Sequence, residues 1–509
     1  MYIKNFMKKS DLICILLLAG ITLVFWYPTI DTPYWWDSAG YIIRSAKEYA
    51  DVGLGSLILS SESTMLTMAR FPLFPLLFAL VWKVFGESLL IFHTFYLIFI
   101  LLAVIFTYLL GKKIGKIMEV KPAEVVGFCP VLLLLFTPVF LAQVGIIYTE
   151  IPIAAFALMA VYFFLDKKIL WYLFSASIML LLKEVSIVII LAIFATILIW
   201  FFVEKPRTSP ANGGTVRGRQ TRNFRKLIKD LFIQGLPILP LIIWFLWRKF
   251  ATGWLLISPA FLGRYKGEIF SFGKIFFLKF TAVFDFFFLN QGRFLISFAL
   301  FSCLFFLLWR KKTRKILVNR GIILLFLIVI FVPLFFAKLE FLHRYIVFGL
   351  PFFYISFCSL LGFTFRKNVA YALTLALLVL LPLFHFNWDN HRKIDSWYFP
   401  PIEENLEYFD IIKIGKLTAK FLEEYYKDAK IYTEFPTNYM LSQPFQHYVK
   451  EPLNVKNCKD FQKDDEIDIV VFHYFTPNQR YCLAIIEGLK FRNLVTFNEN
   501  GKSISIYKK

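Results

Sequence analysis

The chain has 509 residues, 58% of them hydrophobic, with 62 Phe and a mean hydropathy of +0.64. That is far more apolar side chain than one soluble core could bury, which excludes an ordinary soluble enzyme and makes the chain a polytopic α-helical membrane protein. The formal charge of +21 is not a nucleic-acid signature: residues 387–509 carry 17 basic and 18 acidic side chains, so the excess lies in the apolar part, where orientation and contact with anionic lipid account for it.

Residues 1–10, with Lys4, Lys8 and Lys9, precede the first apolar run. No small-residue cleavage site follows, so the run reads as an uncleaved first helix. Apolar periodicity and alternation of sides predict about eleven spans: 11–28, 88–110, 123–141, 151–165, 169–182, 185–203, 231–247, 293–309, 320–336, 346–365 and 369–386. The basic connections are Lys112/Lys113/Lys116/Lys121, Lys167/Lys168, residues 205–229, residues 310–320 and Arg366/Lys367. The positive-inside rule puts all of them, and the N-terminus, in the cytoplasm. Residues 71–85 would break that parity if counted as a span. They are expected as an interfacial helix on the outer face, as are residues 276–289, which Lys279 and Asp285 interrupt. The Gly/Arg/Thr-rich residues 206–222 have too few apolar side chains to pack and are expected as a mobile cytoplasmic loop.

After Phe386 the composition turns polar. A helical pattern over 402–426 and short strand-like runs at 430–433, 467–471 and 503–507 predict a small α/β domain over 387–509, following a transmembrane domain over 1–386. An odd number of spans places that domain outside the cytoplasm. Cys458 and Cys482 there could form a disulfide or remain two thiols, since spacing does not show whether their Cα atoms approach within about 7 Å. Cys14, Cys129, Cys303 and Cys358 fall in or beside spans, as apolar packing residues.

Three features converge on the outer side: Asp37, in Asp31-Thr-Pro-Tyr-Trp-Trp-Asp37-Ser-Ala-Gly-Tyr41; Glu150, in Tyr148-Thr-Glu-Ile-Pro152; and Arg344, in Glu340-Phe-Leu-His-Arg-Tyr345. Breaking a bond between a sugar anomeric carbon and a lipid phosphate develops charge on the departing phosphate, which calls for a fixed cation. An acceptor hydroxyl must lose its proton as it attacks, which calls for a carboxylate. Asp37 is the candidate base and Arg344 the candidate phosphate clamp, a guanidinium being suited to bidentate contact. Asp37 could instead cap the following helix, and Lys183 could pair with its neighbour Glu184. Arg264 and Lys266, in the outer loop 248–292, are secondary phosphate contacts. A divalent metal ion at Asp37 and Glu150 stays open, with no His-x-x-x-His type of spacing to support it.

These stretches resemble the GT-C membrane glycosyltransferases. The likeness runs in order through Trp36-Asp37-Ser-Ala-Gly-Tyr41, Arg70-Phe-Pro-Leu-Phe-Pro with Phe85-Gly86, Tyr148-Thr-Glu-Ile-Pro152, Lys183-Glu184 and His343-Arg-Tyr345. The branch it resembles most includes the protein O-mannosyltransferases and aminoarabinose transferases. The resemblance implies a plasma-membrane enzyme of the cell envelope, moving a monosaccharide from a polyprenyl-phosphate donor to an extracytoplasmic protein, lipid or glycan. It implies Asp37 and Glu150 as catalytic acids and Arg344, with Lys183, at the donor phosphate. Tyr41, Arg70, Tyr148, His343 and Tyr345 would line the substrate pocket. Two departures stand out: Ser38 follows Asp37 where many relatives have a second acid, and Arg70-Phe-Pro replaces the Lys-Pro-Pro of the aminoarabinose branch. A transporter or lipid-linked-sugar flippase is the rival class; it would show paired repeats and acids near mid-membrane, whereas here the notable acids sit at helix ends.

Overall fold

The computed structural model describes residues 9–53, 71–203, 216–255, 279–280, 283–289, 293–309, 319–336, 343–365, 406–474 and 480–509. The chain begins with α1 (Lys9–Trp26), followed by a 3-10 turn, an extended stretch, a π-helical segment (Ser38–Ile43) and α2 (Arg44–Val52). Then come α3 (Leu73–Phe85), α4 (Leu89–Ile117), α5 (Ala123–Leu135), α6 (Pro138–Gly145), α7 (Glu150–Leu165), α8 (Ile169–Leu182) and α9 (Ile187–Val203). The bundle continues with α10 (Val216–Gly235), α11 (Ile238–Thr252), α12 (Arg293–Trp309), α13 (Arg320–Phe336) and α14 (Leu350–Thr364).

Among the described residues, three helical stretches are long and apolar enough to cross a membrane: Lys9–Thr29, Leu89–Ile117 and Glu184–Val203. There are five if each of two bent pairs is one span, and shorter apolar helices fill out the bundle. The expected span 123–141 is not one straight helix. Thr137 and Pro138 interrupt it, because Pro138 has no N–H to continue the α5 ladder and instead starts α6 at a 70° bend. The seventh span breaks in the same way at Pro237, by 55°. Residues 71–85 do form a helix, α3, whose aromatic face packs Phe74 and Phe78 against Phe92, Phe95, Phe99 and Tyr96 of α4. The eleventh span, 369–386, and the domain boundary at 386/387 lie outside the described residues.

One basic connection is not a loop. Helix α4 runs on to Ile117, so Lys112, Lys113 and Lys116 are helical. Lys112 is buried, bonded to Asp11 of α1 and 3.0 Å from Glu124 of α5, and Tyr108 donates to the same Asp11 at 2.7 Å. Lys113 pairs with Asp166. These charges are largely neutralised by partners within the bundle. Close approach of α4 and α5 depends on Gly111 and Gly127: a Cβ on either would sit 2.3 or 2.5 Å from a backbone carbonyl of the other helix. Part of the expected mobile loop is also helical, since α10 starts at Val216; residues 204–215 lie outside the described set.

The C-terminal region contains α15 (Tyr408–Tyr425), β1 (Ile431–Thr433), α16 (Thr437–Ser442), β2 (Val455–Asn457), β3 (Ile469–His473), α17 (Arg480–Gly488), β4 (Arg492–Glu499) and β5 (Lys502–Lys508). The sheet order is β2-β1-β3-β5-β4, parallel on the β1 side and antiparallel through β5. Strand β3 is buried along its whole length, as befits a central strand of Ile, Val and Phe. Cys458 and Cys482 are joined in a disulfide, Cα to Cα 5.2 Å, which ties the turn after β2 to α17.

Candidate active site

Asp37 is presented by a turn with a costly backbone. Trp36, immediately before it, has φ +52°, a left-handed conformation that a bulky residue adopts only when its surroundings over-determine it. Asp37 stands at the N-terminus of the π-helical segment, yet its carboxylate caps nothing. Instead Oδ2 accepts from Nη2 of Arg344 at 2.5 Å, across 307 residues of sequence. The capping alternative for Asp37 is therefore replaced by an ion pair.

Arg344 comes from the short 3-10 turn His343–Ile346 ahead of α14, and it is nearly buried. Its guanidinium lies over the Tyr148 ring at 4.6 Å and near the Tyr345 ring at 5.4 Å. Aromatic faces suit a planar, weakly hydrated cation and hold it in one orientation. Tyr148 is fixed in turn by its hydroxyl, which donates to the Trp35 carbonyl at 3.4 Å, next door to the Asp37 turn.

Glu150 is the first residue of α7 and only 3% exposed. Its Oε1 accepts from Lys183 Nζ at 2.7 Å, and its Oε2 accepts from the Thr149 hydroxyl at 3.3 Å. Lys183 occupies an extended break between α8 and the turn Glu184–Ser186, with the Ser186 hydroxyl tying both sides of the break by bonds of 2.9 Å to the Met179 carbonyl and 2.8 Å to the Lys183 carbonyl. That break turns Lys183 away from its sequence neighbour and toward Glu150, so the Lys183–Glu184 pairing is not what forms. The Lys183 ammonium also lies 4.1 Å from the centroid of Tyr345.

Two ion pairs, Asp37–Arg344 and Glu150–Lys183, thus meet at Tyr345, whose ring centroid lies 4.1 Å from the Lys183 ammonium and 5.4 Å from the Arg344 guanidinium. Of the four charged side chains in these pairs, three are 5% exposed while Asp37 is 38% exposed. Such burial costs desolvation that a hydrophobic replacement would avoid, so stability alone is a poor reason for it. Chemically it offers one accessible carboxylate and two cations held against aromatic faces.

Tyr148 and Tyr345, expected as pocket residues, prove to be the platform under the cations. Tyr41 is buried in the π-helical segment, beside Tyr49. Arg70, Arg264, Lys266 and the His343 side chain lie outside the described residues. As for metal, among the described residues the one group of three candidate ligand atoms that meets within 4.8 Å is Glu434, Cys458 and Cys482, and the two sulfurs are bonded to each other. Asp37 and Glu150 belong to no such group, and each holds a protein cation instead.

No family model and no curated protein matches the sequence. The fold, however, is shared with ArnT from Cupriavidus metallidurans. The structure of that protein bound to undecaprenyl phosphate superposes with a TM-score of 0.53 at 13% identity, over 96% of this chain and 97% of that one. Its apo structure gives 0.54 at 12% identity, with the same coverage. The likeness is one of fold and extends over nearly the whole chain, membrane bundle and sheet region together, in line with the polytopic helical architecture and small C-terminal domain expected from the sequence.

Proposed function

We propose that the chain is an integral plasma-membrane glycosyltransferase that moves a monosaccharide from a polyprenyl-phosphate donor to an acceptor outside the cytoplasm. The supporting observation is the cluster itself: Asp37, Glu150, Lys183 and Arg344, from four separate junctions, form two ion pairs around one tyrosine. The shared fold adds that a protein of this architecture has been captured with undecaprenyl phosphate.

In the proposed reaction the acceptor oxygen attacks the anomeric carbon while its proton passes to Asp37. The bond from that carbon to the phosphate oxygen breaks, and its electron pair leaves with the polyprenyl phosphate. Arg344 takes up the charge that accumulates there. Before donor binds, Asp37 neutralises Arg344; an arriving phosphate competes for the guanidinium and frees the carboxylate to act as base. Glu150 works through Lys183, holding the second cation beside Tyr345.

The test is incubation of purified protein in lipid nanodiscs with a panel of radiolabelled polyprenyl-phosphate sugars and a panel of peptide, lipid and glycan acceptors carrying free hydroxyls or amines. Native protein should turn over at least one, and Asp37→Asn should transfer it slower by about 10²-fold or more. Native protein inert toward the whole panel, or an Asp37→Asn variant as fast as native, would refute the proposal.

A further inference from the structure

The turn that carries Asp37 is gripped from the C-terminal region. Phe435, just past β1, packs its ring on Trp36 at 5.0 Å, edge to face, at the residue with φ +52°. The same ring lies where a Cβ on Gly40 would be, 2.7 Å away, so Gly40 lets it reach the backbone of the π-helical segment. Gln446, fully buried, donates its side-chain amide to the Ala39 carbonyl at 3.0 Å and to Gln443 Oε1 at 3.2 Å. Arg44, at the end of the segment, stacks on Tyr439 of α16 at 4.8 Å. Residues 435–446 therefore touch the Asp37 turn before, within and after the segment it begins.

We propose that Phe435 and Gln446 are positioning residues, making the sheet region a working part of the site and not only an appended fold. A π-helical start preceded by a left-handed tryptophan is a poor conformation to hold by local bonds alone. Clamping it from outside fixes the direction in which Asp37 leaves the backbone. The functional half of this inference rests on the transferase reading; the structural half does not.

The variants are Phe435→Leu and Gln446→Met, each close in volume to the native residue, made in the full chain and placed in nanodiscs. Amide exchange over residues 38–44 should quicken by about tenfold or more in both. With the sugar donor that native protein turns over, kcat should fall about tenfold or more while the donor KM stays within about threefold. Lys427→Ala, which removes an exposed ion pair with Glu451, should match native protein in all three measurements. Unchanged exchange over 38–44 overturns the inference, as does faster exchange with native kcat per folded molecule. A native chain that turns over no donor would instead sink the transferase reading, with the exchange result still deciding whether the clamp exists.

Discussion

Around Tyr345, the buried charges of Glu150, Lys183 and Arg344 depend on their partners more than on solvent. Removing Glu150 leaves Lys183 as a buried cation with its main counter-charge gone, a change that costs about 3–5 kcal/mol in comparable settings. Glu150→Gln should therefore lower the thermal unfolding temperature of the detergent-purified protein markedly, while the double variant Glu150→Gln/Lys183→Met should recover most of that loss. If the double variant unfolds as early as the single one, the pair is not the coupled unit described. The spacing of basic runs leads to the expectation that Asp37, Glu150 and Arg344 share one membrane face; what the structure shows is that their side chains gather with Lys183 in one cluster. The pairing of Lys183 could not be expected in the same way, because Glu184 is adjacent in sequence and only the break after α8 shows which way the lysine turns. Phe435 and Gln446 carry no chemical signature at all; their contacts with Trp36 and Ala39 appear only in the fold, which brings distant stretches of chain together.

For the helices, apolar runs located nearly every described element of the bundle, but charge misled where it was neutralised. Lys112 looked like a loop residue, yet a buried Asp11 and Glu124 let α4 continue through it. Pro138 similarly turned one expected span into two helices, and that bend leads the chain to Tyr148 and Glu150. Helix packing gives a sharp test at Gly111, where a Cβ would sit 2.3 Å from the Val126 carbonyl. Gly111→Ala should push α4 and α5 apart at a cost of about 1–3 kcal/mol, read as a lower unfolding temperature in detergent. An unchanged unfolding temperature would mean the helices do not pack that closely. In the sheet, β1, β3 and β5 were legible as apolar runs, whereas β4 alternates at the edge with little burial and β2 is a short Val-Lys-Asn edge strand with no buried residue, leaving too little pattern to find.

The whole molecule joins a membrane bundle to a sheet that the disulfide braces and a buried histidine sensitises to acid. His473 closes β3 with no solvent exposure, and burial lowers its pKa from the ordinary 6.5 to about 3. An unfolded chain takes up that proton as pH falls below 6.5 and the folded one does not until about 3. The stability is thus fully present above pH 6.5 and lost as pH falls toward 3, at up to about 1.4 kcal/mol per unit. Glu434, whose carboxyl burial raises, acts in the opposite sense, so the comparison is between native protein and His473→Asn. The unfolding temperature of native protein should fall more steeply between pH 6.5 and 4.5 than that of the variant, and parallel slopes would contradict the assignment. Reducing Cys458–Cys482 should cost a further 2–5 kcal/mol or so, visible as earlier unfolding of the sheet. If Arg344 exchanges Asp37 for a lipid phosphate as proposed, undecaprenyl phosphate binding to nanodisc-embedded native, Arg344→Ala and Asp37→Asn proteins reads that exchange most directly. Arg344→Ala should weaken binding about tenfold or more, while Asp37→Asn, by releasing the guanidinium, should bind at least as tightly as native. Native affinity in Arg344→Ala, or equal weakening in both variants, would contradict it.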